Sequence, residues 1–243
     1  MSETVVTGYH AIEEALRSGR AENGILHISR KNERILRIIR TADARHVKIK
    51  RESDEVLNRL SADDHRGVVL ELSAQKHSGS TTLEGFLGGI DQRDALVLIL
   101  DGITDPQNLG AILRSADQFG VDLVVLPTRR SAGMTGTVMK VSAGAAAYLK
   151  VAEVHNLARA MVQLKNHGFW IYGADLGGTP PAKCEFAGRS ALVMGAEGKG
   201  LGRLVAEHCD RLITIPMTGH VDSLNVSVAA GIILYEIRRS VGS

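Results

Sequence analysis

The run Ala95-Leu96-Val97-Leu98-Ile99-Leu100 constrains the fold more than any other part of the chain. Six apolar residues with no polar alternate make a strand buried on both faces, and such strands need a layer of helix on each side. Further apolar runs at 122–126, 169–174, 191–195 and 212–216 alternate with helical patterns at 108–119, 134–146, 155–167, 201–208 and 225–239. This alternation predicts a mostly parallel sheet in an α/β fold. With 243 residues, 44% of them hydrophobic, the chain can bury a sizeable core as one large or two small domains.

Residues 1–75 read as a smaller α/β layer, with helices at 9–17, 33–44 and 54–60 and strands at 25–28, 47–49 and 68–72. Polar, aperiodic sequence follows, so 76–92 is expected to be a linker containing a short amphipathic piece, and 93–243 a second domain. From Arg30 to Arg51 there are nine Lys or Arg against Glu33 and Asp43. Arg30, Arg34, Arg37 and Arg40 step by four, three and three, which on a helix sets them on one face opposite Ile35, Leu36, Ile39 and Ala42. With Lys48 close by, this unbalanced stripe suits the backbone phosphates of a nucleic acid; a solvated helix face is the alternative.

Chemistry-bearing residues collect where strands end. Leu192-Val193-Met194 breaks into 195–202, where Gly195, Gly198, Gly200 and Gly202 stand among eight residues together with Glu197. Glycines there let the backbone take positive φ and leave amides and carbonyls open to a flat polar ligand, although a Gly-rich turn is often only a turn. Walker A fails because Gly200 follows Lys199, and the dinucleotide fingerprint fails at Arg203. The strand 95–100 ends in 101–108, after which a helix beginning near Asn108 carries Arg114. Carboxyl ends of strands are where open α/β sheets bind ligands. Taken singly, Asn108 reads as a helix N-cap and Arg114 as part of a solvated face.

Composition excludes several classes. A net charge of +2 leaves nucleic-acid binding to a local patch. Cys184 and Cys209 are few and far apart, which fits a reducing compartment and argues against a disulfide scaffold or zinc site, and the nine histidines have no ligand spacing. With no apolar leader or long apolar span, the expected location is the cytoplasm, in solution and off the membrane. In the last helix Val226, Val228, Ala229, Ala230, Ile232, Ile233 and Leu234 leave little polar surface, so it is expected to be covered nearly all round by the domain core and by a two-fold partner.

Three segments together carry a resemblance. Residues 108–116 (NLGAILRSA), 192–202 with 213–217, and 223–229 (SLNVSVA) resemble, in order, the motifs of the SpoU family of RNA ribose 2′-O-methyltransferases, within the knotted SPOUT superfamily. The Gly8-Tyr9-His10-Ala11 opening is similar to the bacterial 23S ribosomal RNA guanosine-2′-O-methyltransferase branch, so the likeness spans nearly the whole chain. It departs from the pattern at Asp222, where Ser is expected. The resemblance implies a SPOUT-type C-terminal domain with a trefoil knot, a ribosomal-protein-like RNA-binding N-terminal domain, a homodimer, and 23S ribosomal RNA or a ribosome assembly intermediate as partner. A transfer-RNA or other ribosomal-RNA site and a non-enzymatic RNA-binding role are the alternatives.

The resemblance also assigns residues. S-adenosylmethionine is the implied methyl donor, held by Leu126, Met194, Gly195, Ala196, Gly198, Ile215, Met217, Ser223, Leu224 and Asn225, with no metal. Arg114 is implied to act on the ribose hydroxyl. A guanidinium is a poor base, so its expected role is to stabilise the developing oxyanion and orient a phosphate. Glu197 would hold that guanidinium or bind the donor, and Asn108, Ser223 and Asn225 would complete the hydrogen bonding.

Overall fold

The computed structural model describes residues 4–19, 21, 24–61, 64–72, 80–91, 94–198, 200–220 and 223–241. Residues 76–79 and 92 of the expected linker, and Asp222, lie outside them. The chain forms two compact units: Met1–Gly79 with Met134–Tyr148, and Ser80–Gly133 with Leu149–Ser243.

The first unit runs β1 (Thr4–Thr7), α1 (Tyr9–Arg17), β2 (Ile25–Ile28), α2 (Glu33–Ala44), β3 (Lys48–Arg51), α3 (Asp54–Leu60) and β4 (Val68–Leu72), with strand order β1-β4-β2-β3. β4 is antiparallel to β1 and β2, while β2 and β3 are parallel. β1 has no counterpart in the sequence reading, because Val5 and Val6 alone are too short a signal. α1 buries Ala11, Ile12, Ala15 and Leu16, and α2 buries Ile35, Ile38 and Ala42.

Asn32 caps α2 by accepting from the Ile35 amide at 2.8 Å, and this corrects the expected stripe. Arg30 precedes the helix and donates to Asp54 through Nε (3.1 Å) and Nη2 (2.6 Å). The Arg30 guanidinium, with Ser29 adding a second donor, holds the Asp54 carboxyl below the usual carboxylate range. Arg34, Arg37 and Arg40 remain exposed on α2, as does Lys48 on β3. Leu36, expected on the apolar face, is 43% exposed. Arg34 lies over the Tyr9 ring at 5.7 Å, and the Tyr9 hydroxyl donates to the Arg66 carbonyl at 3.2 Å.

The segment 134–148 supplies α6 (Gly136–Val141; α4 and α5 are described below) and a 3₁₀ turn at Ala145–Ala147 to this first unit, whereas its sequence position suggested the second domain. Two glycines account for the difference. A Cβ at Gly136 would overlap the Val5 carbonyl, and one at Gly144, whose φ is +88°, would overlap the Glu14 side chain. Only bare backbone packs that closely against β1 and α1.

The second unit comprises α4 (Leu83–Gly88), β5 (Ala95–Leu100), α5 (Pro106–Gln118), β6 (Leu123–Pro127), β7 (Val151–Val154), α7 (Leu157–Asn166), β8 (Trp170–Thr179), β9 (Arg189–Met194), α8 (Arg203–Glu207), β10 (Arg211–Ile213) and α9 (Val226–Val241). Its six strands are all parallel, in the order β10-β8-β9-β5-β6-β7. Every residue of β5 is buried, as its composition demands. β7 was not anticipated; the helical pattern assigned from 155 begins after it, at Leu157. One face of the sheet packs Val97, Ile99, Val125, Ile171 and Val193 against Leu83, Phe86, Met161 and Leu164.

β8 extends beyond the expected 169–174, and its pairing with β10 jumps: Leu212 faces Gly173, but Ile213 faces Thr179. Residues 174–178 therefore leave the ladder with β10. Gly178 lets the strand return, because a Cβ there would sit 2.5 Å from the Leu212 carbonyl carbon. α9 buries Val226, Ala230, Ile233, Leu234 and Ile237 but leaves Val228, Ile232 and Tyr235 at 51%, 38% and 52% exposure. Domain core thus covers one side of this helix only.

Candidate active site

The carboxyl ends of β5 and β9 are joined first by backbone. The Asp101 amide donates to the Met194 carbonyl at 2.8 Å, and Asp101 Oδ2 accepts from the Gly202 amide at 3.0 Å. The Gly-rich loop is thereby held at both ends, and within it the Gly200 amide donates to the Ala196 carbonyl at 3.0 Å. Gly198 and Gly200 have φ of +73° and +64°, as expected for residues that fold a loop back on itself.

Side chains then connect the three sequence motifs. Asn108 Nδ2 donates to Glu197 Oε2 at 3.1 Å, and Asn108 Oδ1 accepts from Asn225 Nδ2 at 2.9 Å. Asn225 Oδ1 in turn accepts from the Ser227 amide (2.9 Å) and hydroxyl (2.6 Å) at the start of α9. The N-cap reading of Asn108 is corrected here. Asp105 caps α5 by accepting from the Gln107 amide at 3.0 Å, with Pro106 in the first turn, and Asn108 is left free to bridge Glu197 and Asn225. Replacing Asn108 by Asp removes the donor and sets a second carboxylate beside Glu197. The methyl transfer that the sequence resemblance implies should then fall by about tenfold or more, since a hydrogen bond to a charged group contributes ~1.5–3 kcal/mol; unchanged turnover in a labelled-methyl assay would show that the bridge is idle.

Arg114 is exposed and makes no hydrogen bond or ion pair among the described residues. The expected grip of Glu197 on its guanidinium is not formed. Six helical residues separate it from Asn108, about 9 Å along the axis and about a third of a turn around it, so Arg114 leaves α5 on another face.

Beside this network lies a cavity of about 530 Å³, lined by Met194, Gly195, Ala196, Glu197 and Gly198 from the loop after β9, by Ile215, Met217, Ser223 and Leu224 from the segment after β10, and by Ile213, Val226 and Ile233. Leu126, buried in β6, and Asn225 are not among its lining residues. Ala174, Asp175 and Leu176 form a further wall that the sequence reading missed. They belong to the excursion of β8, whose signal was the polar, Gly-rich break at 174–178, the same kind of strand ending that revealed the other two loops. The charged side chains among the described lining residues are Asp175 and Glu197; no Lys, Arg or His is among them. Such a wall attracts a cation and repels a phosphate.

β8 is also packed tightly behind that wall. A Cβ at Gly173 would come within 2.7 Å of both Cys209 Sγ and Leu201 Cδ1. Burial pushes the Cys209 thiol up to about 12, with Asp210 and Asp175 adding to the effect and Lys165 opposing it. Iodoacetamide at pH 8 should therefore modify native Cys209 on the order of a thousandfold more slowly than an unperturbed thiol. Peptide mass spectrometry of native and unfolded protein checks this. The raised value also means that this group's contribution to stability is present below the thiol's unfolded pKa and is lost as pH rises toward 12.

Residues 95–235 match the SpoU rRNA Methylase family, and residues 5–78 match the family described as RNA 2′-O ribose methyltransferase substrate binding. The chain belongs to the SpoU rRNA methylase family. A Staphylococcus saprophyticus relative named "Putative TrmH family tRNA/rRNA methyltransferase" is 40% identical over 98% of this chain and 96% of its own length. A solved RNA 2′-O ribose methyltransferase is 25% identical, with a TM-score of 0.77 over 98% of this chain and 88% of its own. The SpoU methyltransferase AviRb from Streptomyces viridochromogenes, solved in complex with AdoMet, shares the fold at 23% identity and a TM-score of 0.79 over 97% of this chain and 89% of its own. Within this SpoU chain, the family match spans both the Asn108–Glu197–Asn225 bridge and the cavity.

Proposed function

We propose that this SpoU-family chain transfers a methyl group from S-adenosylmethionine to the ribose 2′-hydroxyl of a guanosine in 23S ribosomal RNA. The observation that carries the reading is the cavity: two carboxylates and apolar walls, opening beside the bridge that ties the three motifs together. When bound, the donor supplies an electrophilic methyl on a cationic sulfonium. Asp175 and Glu197 suit that charge, Ile213, Ile215, Val226 and Ile233 suit an adenine, and the exposed backbone of Gly195 to Gly198 suits polar edges. Glu197 stays oriented because Asn108 holds it. Arg114 steadies the developing 2′-oxyanion and a neighbouring phosphate. It serves the site of a second copy, which docks on the exposed Val228, Ile232 and Tyr235 of α9. Arg34, Arg37, Arg40 and Lys48, with Arg30 held by Asp54, bind RNA backbone. The trefoil knot belongs to the same reading, in the return from edge strand β10 to α9.

Labelled methyl transfer to unmodified 23S and transfer RNA, run in parallel, tests this reading. Label should enter 23S RNA and survive alkali within a dinucleotide, because alkaline cleavage needs a free 2′-hydroxyl. Label in transfer RNA alone would support the second reading, a transfer-RNA 2′-O-methyltransferase, which the relatives' tRNA/rRNA names equally include. Failure to bind the donor in calorimetry would sink both.

A further inference from the structure

Charge is sorted along the carboxyl edge of the second unit's sheet. Moving across the strand order, Asp175 stands in the excursion of β8, and the loops after β9 and β5 carry Glu197, Asp101 and Asp105, with Lys199 also in the sequence of the β9 loop. On the far side, the loop after β6 carries Arg129 and Arg130, and His155 follows β7. Strand order reverses at the β9–β5 pair, the seam of the sheet, and the charge changes sign one strand further on, between β5 and β6. Asn108 and Glu197 meet at the seam, 3.1 Å apart. Reversals of this kind are where the loops of an open sheet diverge and ligands settle.

The basic loop is fixed to the seam rather than free of it. The Ala132 amide donates to the carbonyl of Ile103, in the segment between β5 and α5, at 3.0 Å. At its other end Thr128 Oγ1 and His155 Nδ1 lie 3.0 Å apart, and the Thr128 amide donates to the Val154 carbonyl at 2.9 Å. Between these ties, Arg129 and Arg130 are exposed, and neither makes an ion pair or hydrogen bond among the described residues. Arg130 is a non-glycine residue with φ of 59°, held in a turn that β-carbons disfavour. Two uncompensated guanidiniums on an anchored loop offer planar, charged donors of the kind that pair with phosphates.

We infer that Arg129 and Arg130 grip the RNA backbone next to the target ribose, so that acceptor and donor approach the β9–β5 seam from opposite sides, each matched by charge. This second RNA contact lies in the catalytic unit itself and is distinct from the α2 stripe. It rests on the reading of the chain as an RNA methyltransferase.

The test uses the full chain and a fluorescein-labelled, mixed-sequence single-stranded RNA, with affinity measured from 50 to 300 mM salt on the order of common buffers. Arg129→Ala with Arg130→Gly removes both charges while keeping a residue that accepts the positive φ. The slope of log affinity against log salt should fall by about 1.4, since each lost single-strand contact removes about 0.7. Affinity at low salt should drop by about tenfold, with donor affinity unchanged. Arg129→Lys with Arg130→Lys should keep most of the slope. An unchanged slope in the charge-removed variant overturns the inference, as does a change in donor affinity of the same size, which would mean a disturbed fold. If the parent protein binds neither donor nor RNA, the functional reading fails first, and these arms tell the two failures apart.

Discussion

Gly195→Val should abolish donor binding, with affinity in calorimetry falling by at least about a hundredfold. A Cβ at this position would overlap the Gly200 carbonyl and come within 2.6 Å of the Leu201 amide nitrogen, all of it backbone. Backbone cannot swing aside as a flexible side chain does, so the loop has to open, and overpacking of this kind costs ~1–3 kcal/mol or more. The sequence reading gave this glycine the task of leaving backbone open to a flat polar ligand. The structure gives a different cause: residue 195 must be glycine for the loop to close over it, and the cavity wall exists only once the loop is closed. Alanine should therefore fail almost as badly as valine. Gly198 offers the contrast, because no atom lies within 4 Å of a Cβ there and only its φ of +73° resists substitution. Gly198→Asn, which tolerates that conformation, should leave the melting temperature nearly unchanged. Normal donor affinity for Gly195→Ala would move the binding site away from this loop.

Arg114→Ala should cut methyl transfer by about 10²–10³, the usual effect of losing one donor to a developing oxyanion, while donor affinity stays at the parent value. The two readouts separate because Arg114 is not among the residues that line the cavity. Lysine should restore part of the rate at most, since it keeps the charge but loses the planar fork to which the proposal gives the oxyanion and a phosphate. Full activity of Arg114→Lys would show that a point charge suffices. Mixing Arg114→Ala with a donor-binding-deficient Gly195→Val protein adds a further check. If the residue serves a second copy's site, mixed dimers regain activity that neither parent has.

The elements most legible in the sequence were those whose burial is one-sided or complete. β5 could be read because all six residues are apolar, and α1 and α2 because their apolar residues recur with the helical period. β7 was not read, and β10 was read as 212–216 where the strand is Arg211–Ile213: four and three residues carry little periodicity, and each lies at an edge of the sheet. The site was legible as three strand endings, since glycines and amides at such places have few structural duties. Its wiring was not. That Asn108 bridges Glu197 and Asn225, while Asp105 takes the capping role, depends on where segments 89 and 117 residues away in sequence meet the first turn of α5. The excursion of β8 was hidden for a related reason: the jump from Gly173 to Thr179 is a property of its pairing with β10 and leaves only a weak local signature in Ala174-Asp175-Leu176.

The excursion of 134–148 into the first unit bears on how the protein is made. A ribosome releases the chain from its amino end, so β1 and α1 emerge long before the helix that packs on them. That helix arrives only after β5 and β6 have been synthesised. At ~5–20 residues per second the surface that receives Gly136 and Gly144 waits on the order of 10 s for its cover. The first unit is complete only when about a third of the second is already made, so the two cannot mature in strict succession, and a truncation between them strips the first unit of a helix that lies beyond the cut.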